Sequence, residues 1–260
     1  MGSVTITLLD KVDIDRSREI TSTRLALLKK AVQQDIDAFR VKYSIDEIKK
    51  GESIMFKILI DGEDSEAARN YLRLKHGART LLVDLHKDDV IPRARVDTPG
   101  SAGFGLFFDI GLEGKNALYP LFRMREQLVD GKKVPARKIA KLFGFCNGFA
   151  YPVIVAEIDE NSKIFVELDA RAVDEFHAWR RDGLDRVMCH GETKEIIERT
   201  LVKAGAKKEH FIIQESGFLD CIITCDAHTE GAGLVGLIGP RMPHVAMAVF
   251  NGAGVAKAAK

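Results

Sequence analysis

Along the first third of the chain the apolar residues Leu25, Leu28, Val32, Ile36, Phe39 and Tyr43 recur at steps of three or four. On a helix that spacing makes one stripe, so it predicts a long helix from about Thr21 to Lys50. Strand-like runs lie on either side, VTITLLDKV before it and SIMFKILIDG after it. EDSEAARNYLRLKHG then reads as a second helix, with Asp64 or Ser65 as cap, acidic residues in the first turn and Gly77 just past a basic end. Residues 1–76 are therefore expected to form a βαβα module.

From Ala78 the pattern changes to short runs of period two separated by turn residues: ARTLLVDLHKDD, GFGLFFDIGLEG, NALYPLF, YPVIVAEID and SKIFVELDA. Five such strands with glycine corners predict a small closed barrel over residues 77–170, with DENS as the hairpin turn between the last two. A longer basic insertion, residues 121–150, separates the third and fourth strands and is expected to be partly helical. ARAVDEFHAWRRDG suggests a helical linker at 171–184. Strand, helix, strand, strand, glycine-rich helix and strand then follow over 185–250, a ferredoxin-like βαββαβ order. The tail, 251–260, carries little apolar surface and is expected to be flexible. The fold class is thus multi-domain α+β.

At 260 residues, 46% hydrophobic and 30% charged, the chain suits several small cores. No run of about 18 apolar residues occurs and the start lacks a signal-peptide pattern, so a soluble cytoplasmic protein without membrane contact is expected. Four irregularly spaced cysteines fit a reducing compartment rather than a disulfide framework. A net charge of +1 makes any nucleic-acid site a local one.

The stretch GFGLFFDIG crowds Phe104, Phe107 and Phe108 onto one strand, where alternation sends neighbours to opposite faces. Together, SAGFGLFFDIGLEGKNALYPL and YPVIVAEIDENSKIFVELDA resemble the S-one RNA-binding domain, an oligonucleotide-binding (OB) barrel. The resemblance covers about Ala78 to Ala170. It implies that Phe104 and Phe107 stack on bases and that Tyr119 stands where the family usually has a stacking histidine. Each stacked base is worth roughly 1–3 kcal/mol, and Phe108 would then belong to the barrel interior. The plainer reading buries all three phenylalanines.

The insertion holds Arg123, Arg125, Lys132, Lys133, Arg137, Lys138 and Lys141 against Glu126 and Asp130. Phosphates are the natural partner of such a run, though a solvated helix face or an acidic protein would serve as well. GAGLVG, Gly231–Gly236, matches a dinucleotide fingerprint, but no aspartate or glutamate follows Glu230 to hold a ribose. Cys221 and Cys225 on one strand would lie roughly 13 Å apart, too far for a shared zinc. His177, His190, His210, His228 and His244 are scattered, and Asp226 with His228 sits on a loop. No catalytic constellation, metal site or cofactor is expected.

A second resemblance rests on IDGEDSEAARNYLRLKHGA, DGLDRVMCHGETKEIIERTLVKAG and GFLDCIITCDAHTEGAGLVGLIGPRM. These are similar to an archaeal family known as domain of unknown function twenty-one-ten, and the likeness implies an archaeal cytoplasmic protein. It also marks Thr229, Gly231, Gly233 and Gly239, with Cys225, as a corner for a ligand or partner. The expected function is a non-enzymatic accessory factor binding single-stranded or looped RNA. The alternative is an adaptor docking on the ribosome or RNA polymerase without touching RNA.

Overall fold

The computed structural model describes residues 2–14 and 18–258. The chain is mixed α+β and divides into two compact units. One holds the chain up to Leu85 together with Ile110–Glu113, and the other holds His86–Asp109 and the chain from Gly114 onward.

In the first unit, β1 (Val4–Asp13), α1 (Arg18–Ile36), β2 (Val41–Lys50), β3 (Ser53–Gly62) and α2 (Ser65–His76) build an antiparallel sheet of order β1-β3-β2. The module is therefore βαββα, not βαβα, because the expected helix stops at Ile36. A step of four residues suits both helix and strand, so Phe39 and Tyr43 extended the apparent stripe. Val41, Tyr43 and Ile45 at steps of two are what the backbone follows, and Gly51 turns the chain into β3 with φ +58°. Leu28, Val32 and Ile36 of α1 are buried with Phe56, Ile58 and Ile60 of β3. His76 lies buried between two carboxylates, 2.9 Å from Asp10 through Nδ1 and 2.9 Å from Asp35 through Nε2. Burial opposes its charge, but the hydrogen bonds to Asp10 and Asp35 outweigh that and its pKa is raised.

The second unit opens with a closed barrel of order β4-β5-β6-β8-β7. Its strands are β4 (Val90–Asp97), β5 (Gly105–Asp109), β6 (Ala117–Pro120), β7 (Ala150–Ile158) and β8 (Ile164–Leu168). All neighbours run antiparallel except β6 and β8, which is the strand order of an OB barrel. The first barrel strand lies downstream of the expected ARTLLVDLHKDD, in VIPRARVD. A proline and two arginines disguised it, yet Arg93 and Arg95 are buried.

Those arginines join β4 to the C-terminal sheet. Arg93 donates to Asp220 at 2.6 Å, Arg95 donates to the Gly148 carbonyl at 2.6 Å, and His190 Nδ1 stands 2.6 Å from the other Asp220 oxygen. Asp220 is fully buried, and such a charge is tolerated only when its lone pairs are met. Helices α3 (Leu121–Leu128) and α4 (Ala136–Leu142) follow β6, and α5 (Ala170–Asp182) follows β8. Phe176 and Trp179 of α5 pack among Phe143, Phe145, Tyr151 and Phe250, so the expected linker helix is part of the core.

The C-terminal module runs β9 (Arg186–His190), α6 (Lys194–Lys203), β10 (Phe211–Gly217), β11 (Asp220–Cys225), α7 (Gly231–Ile238) and β12 (Ala246–Phe250). Its antiparallel order β10-β11-β9-β12 is the ferredoxin-like arrangement expected. The tail differs from expectation, since Gly252–Ala258 forms α8 with Val255 fully buried; Ala259 and Lys260 lie outside the described residues. Among the described residues, no helix is long and apolar enough to cross a membrane.

Candidate nucleic-acid interface

The barrel register decides which side chains share its outer face. Phe107 pairs with Asp97 of β4 and Leu118 of β6, and Leu118 pairs with Phe165 of β8. Cross-strand partners point to the same side, so Phe107, Leu118 and Phe165 form a row across three strands. All three are half-buried. At the end of β5, Phe104 is 60% exposed and meets Phe107 edge to face, ring centres 5.9 Å apart. Phe122, at the start of α3, is also exposed.

Phe108 points inward and is fully buried against Tyr119, as alternation predicted. Tyr119 is a correction. It pairs with Leu106, whose side chain lies in the interior, so the same alternation carries it away from Phe107. The ring is fully buried and its hydroxyl donates to Gln127 Oε1 at 2.7 Å. Burial drives the phenol pKa well above its ordinary value. No base can stack on it. The residue beside Phe107 is Leu118, which the sequence comparison passed over along with Phe165; the alternation in KIFVEL was the available signal.

The flanking glycines act on the strands. A side chain at Gly105 would strike the Tyr119 carbonyl and Leu118 of the facing strand, whereas Gly103 borders open space. The basic insertion begins beside this face, where the Leu121 amide donates to the Phe104 carbonyl at 2.8 Å. It leaves Phe104 uncovered because Met124, Leu128 and Ile139 turn inward.

Its cations divide into two groups. Arg123 is held by Glu126 at 3.1 Å and Glu167 at 3.2 Å, and it lies over the Phe122 ring at 5.4 Å. Arg125 donates to the Val134 carbonyl at 3.0 Å, closing the turn between α3 and α4. Both have structural work. Arg137 reaches the Ser101 carbonyl at 3.4 Å from an exposed position. The Lys132, Lys133 and Lys138 ammonium groups have no hydrogen bond or ion pair among the described residues, and they remain the groups open to phosphate.

The glycine-rich corner of the C-terminal module is closed from within. Asp185 accepts from the Gly231 amide through one oxygen and from the Gly252 amide through the other, each at 3.0 Å, so one carboxylate caps both α7 and α8. A Cβ on Gly231 would come within 2.8 Å of Val249, while Gly233 and Gly239 have no such neighbour. Thr229 and His210 both bond Asp226, and with the His210 bond foremost the carboxyl pKa falls to about 2. Cys189, Cys221 and Cys225 lie in the core of this module, and burial pushes the Cys221 and Cys225 thiols up to about 12.

The molecule thus has a closed OB-type barrel with an aromatic outer face, in one compact unit with a ferredoxin-like sheet module. Residues 184–250, the span of that module, match the family model of the DUF2110 C-terminal domain. A search of curated proteins matched none.

Proposed function

We propose that the protein is a non-enzymatic RNA-binding accessory factor of archaeal information processing that holds single-stranded or looped RNA on an S-one-like barrel face. The observation that carries this reading is Phe104, 60% exposed and edge to face with Phe107, in line with Leu118 and Phe165. Exposed rings on a barrel face cost free energy in water and recover it when bases stack on them. Lys132, Lys133, Arg137 and Lys138 would meet the phosphates of the same strand, giving an affinity that falls with salt.

A protein-docking role on the ribosome or RNA polymerase is the second reading. It is favoured by the internal engagement of Arg123 and Arg125 and by the carboxylates of Asp97 and Glu167 close to the aromatic row. Anisotropy with a fluorescent single-stranded RNA over a salt series separates the two. Salt-sensitive binding that disappears in the Phe104→Ala, Phe107→Ala double variant supports the RNA site. Absence of binding at low salt, with partners captured from nuclease-treated extract, supports the adaptor.

A further inference from the structure

We propose that the barrel face selects guanine for the base stacked on Phe107, and that Asp97 with Asn116 reads it; this rests on the RNA reading above. Asp97 is the direct cross-strand partner of Phe107 and faces the same way, about one strand spacing, ~4.8 Å, away. Asn116 immediately precedes β6 and is exposed. Its amide nitrogen donates to Asp97 Oδ2 at 2.6 Å. A carboxylate only accepts, so the bond also fixes which way the amide points. The strand end is held where Asp97 sits, because the next amide, Thr98, donates to Asn147 Oδ1 at 2.9 Å.

With that bond made, the pair still presents one amide N–H beside two carboxylate oxygens that retain lone pairs. Following the connectivity of the bond, from Asn116 Nδ2 to Asp97 Oδ2 and then Oδ1, it offers a donor, an acceptor and an acceptor. The Watson–Crick edge of guanine is the complement: O6 accepts, N1–H donates and the 2-amino group donates. Uracil would turn its O2 toward the carboxylate, and cytosine would turn both N3 and O2 toward it. Adenine has a single donor on this edge. Opposed acceptors are left unpaired and partly desolvated, and that penalty supplies discrimination more than the matched bonds do.

The test compares short fluorescent oligouridylates carrying one central guanosine, inosine or adenosine with the all-uridine strand. They are titrated into the full-length protein and into its Asp97→Asn, Asn116→Ala and Phe107→Ala variants, each checked for an unchanged thermal melt. Guanosine should bind about tenfold more tightly than uridine, with inosine in between because it lacks the 2-amino group. Asp97→Asn should bring guanosine and uridine within about twofold, Asn116→Ala should narrow the gap partway, and Phe107→Ala should weaken every strand. Equal binding of guanosine and uridine by the parent protein, with loss in Phe107→Ala, would overturn guanine selection while leaving the RNA site standing. A preference that survives both Asp97→Asn and Asn116→Ala would overturn the assignment to this pair. Failure to bind any strand would overturn the RNA reading and the selection with it.

Discussion

The outer face of the barrel and the glycine-rich corner of the C-terminal module both stand out in the sequence as candidate sites, yet the fold treats them in opposite ways. At the corner, Asp185 satisfies the amides at the starts of α7 and α8, and Gly231 is there because Val249 leaves no space for a side chain. On the barrel face, Phe104 is 60% exposed and meets the half-buried Phe107 edge to face. The corner resembles a phosphate cradle only in its spelling, since a carboxylate of the chain already fills the position an anion would take. What separates a structural glycine cluster from a binding face is whether the protein has satisfied the groups itself.

The sharpest way to break this contrast is the Phe104→Ala, Phe107→Ala double variant. Removing two stacking platforms should weaken single-stranded RNA binding by about 2 kcal/mol or more, at least thirtyfold, with little change in melting temperature. A large drop in stability with unaltered affinity would show that these rings belong to the core. Asp185→Ala should do the reverse. Loss of caps on two helices should lower stability by about 2 kcal/mol in chemical denaturation while RNA affinity stays the same. An Asp185→Ala protein of full stability would mean that the corner is not self-capped.

A smaller effect is expected from Tyr119→Phe, which removes one buried hydroxyl bond to Gln127 and should cost about 1 kcal/mol. Gln127 keeps its bond from the Leu168 amide, so the barrel should survive. RNA affinity should not move; a marked fall would place Tyr119 in the interface after all. Outside both regions, the His76 site should give the N-terminal unit a gentle pH dependence. Its folded pKa is raised above the ordinary 6.5, so the stabilisation is whole below that value and is lost as pH rises through the folded pKa. Melting followed from acid to mildly alkaline pH should show the decline, and His76→Gln should remove it.

Alternation in GFGLFFDIG was enough to separate Phe107 from Phe108, and strand and helix periods were enough for the order of the C-terminal module. The resemblance to the S-one domain misplaced Tyr119, because which residue of β6 stands beside Phe107 depends on the register between β5 and β6, which pairs Phe107 with Leu118. The β2 strand was hidden by a step of four residues, which both periods allow. The β4 strand was hidden because Arg93 and Arg95 look like surface residues until Asp220, far away in sequence, pairs with both.

By itself, then, the sequence determined most of the local elements, β2 and β4 excepted: hydrophobic period specifies which segments are strands and helices, and turn residues specify where they end. It also determined that aromatic residues and cations lie close together in the chain. Tertiary structure alone decided which of them are available. Register set the faces of the barrel strands, ion pairing with Glu167 withdrew Arg123 into a structural role, and Asp185 closed the glycine corner. Each of those outcomes depends on contacts between residues distant in sequence, whose free energy exists only once the strands have met.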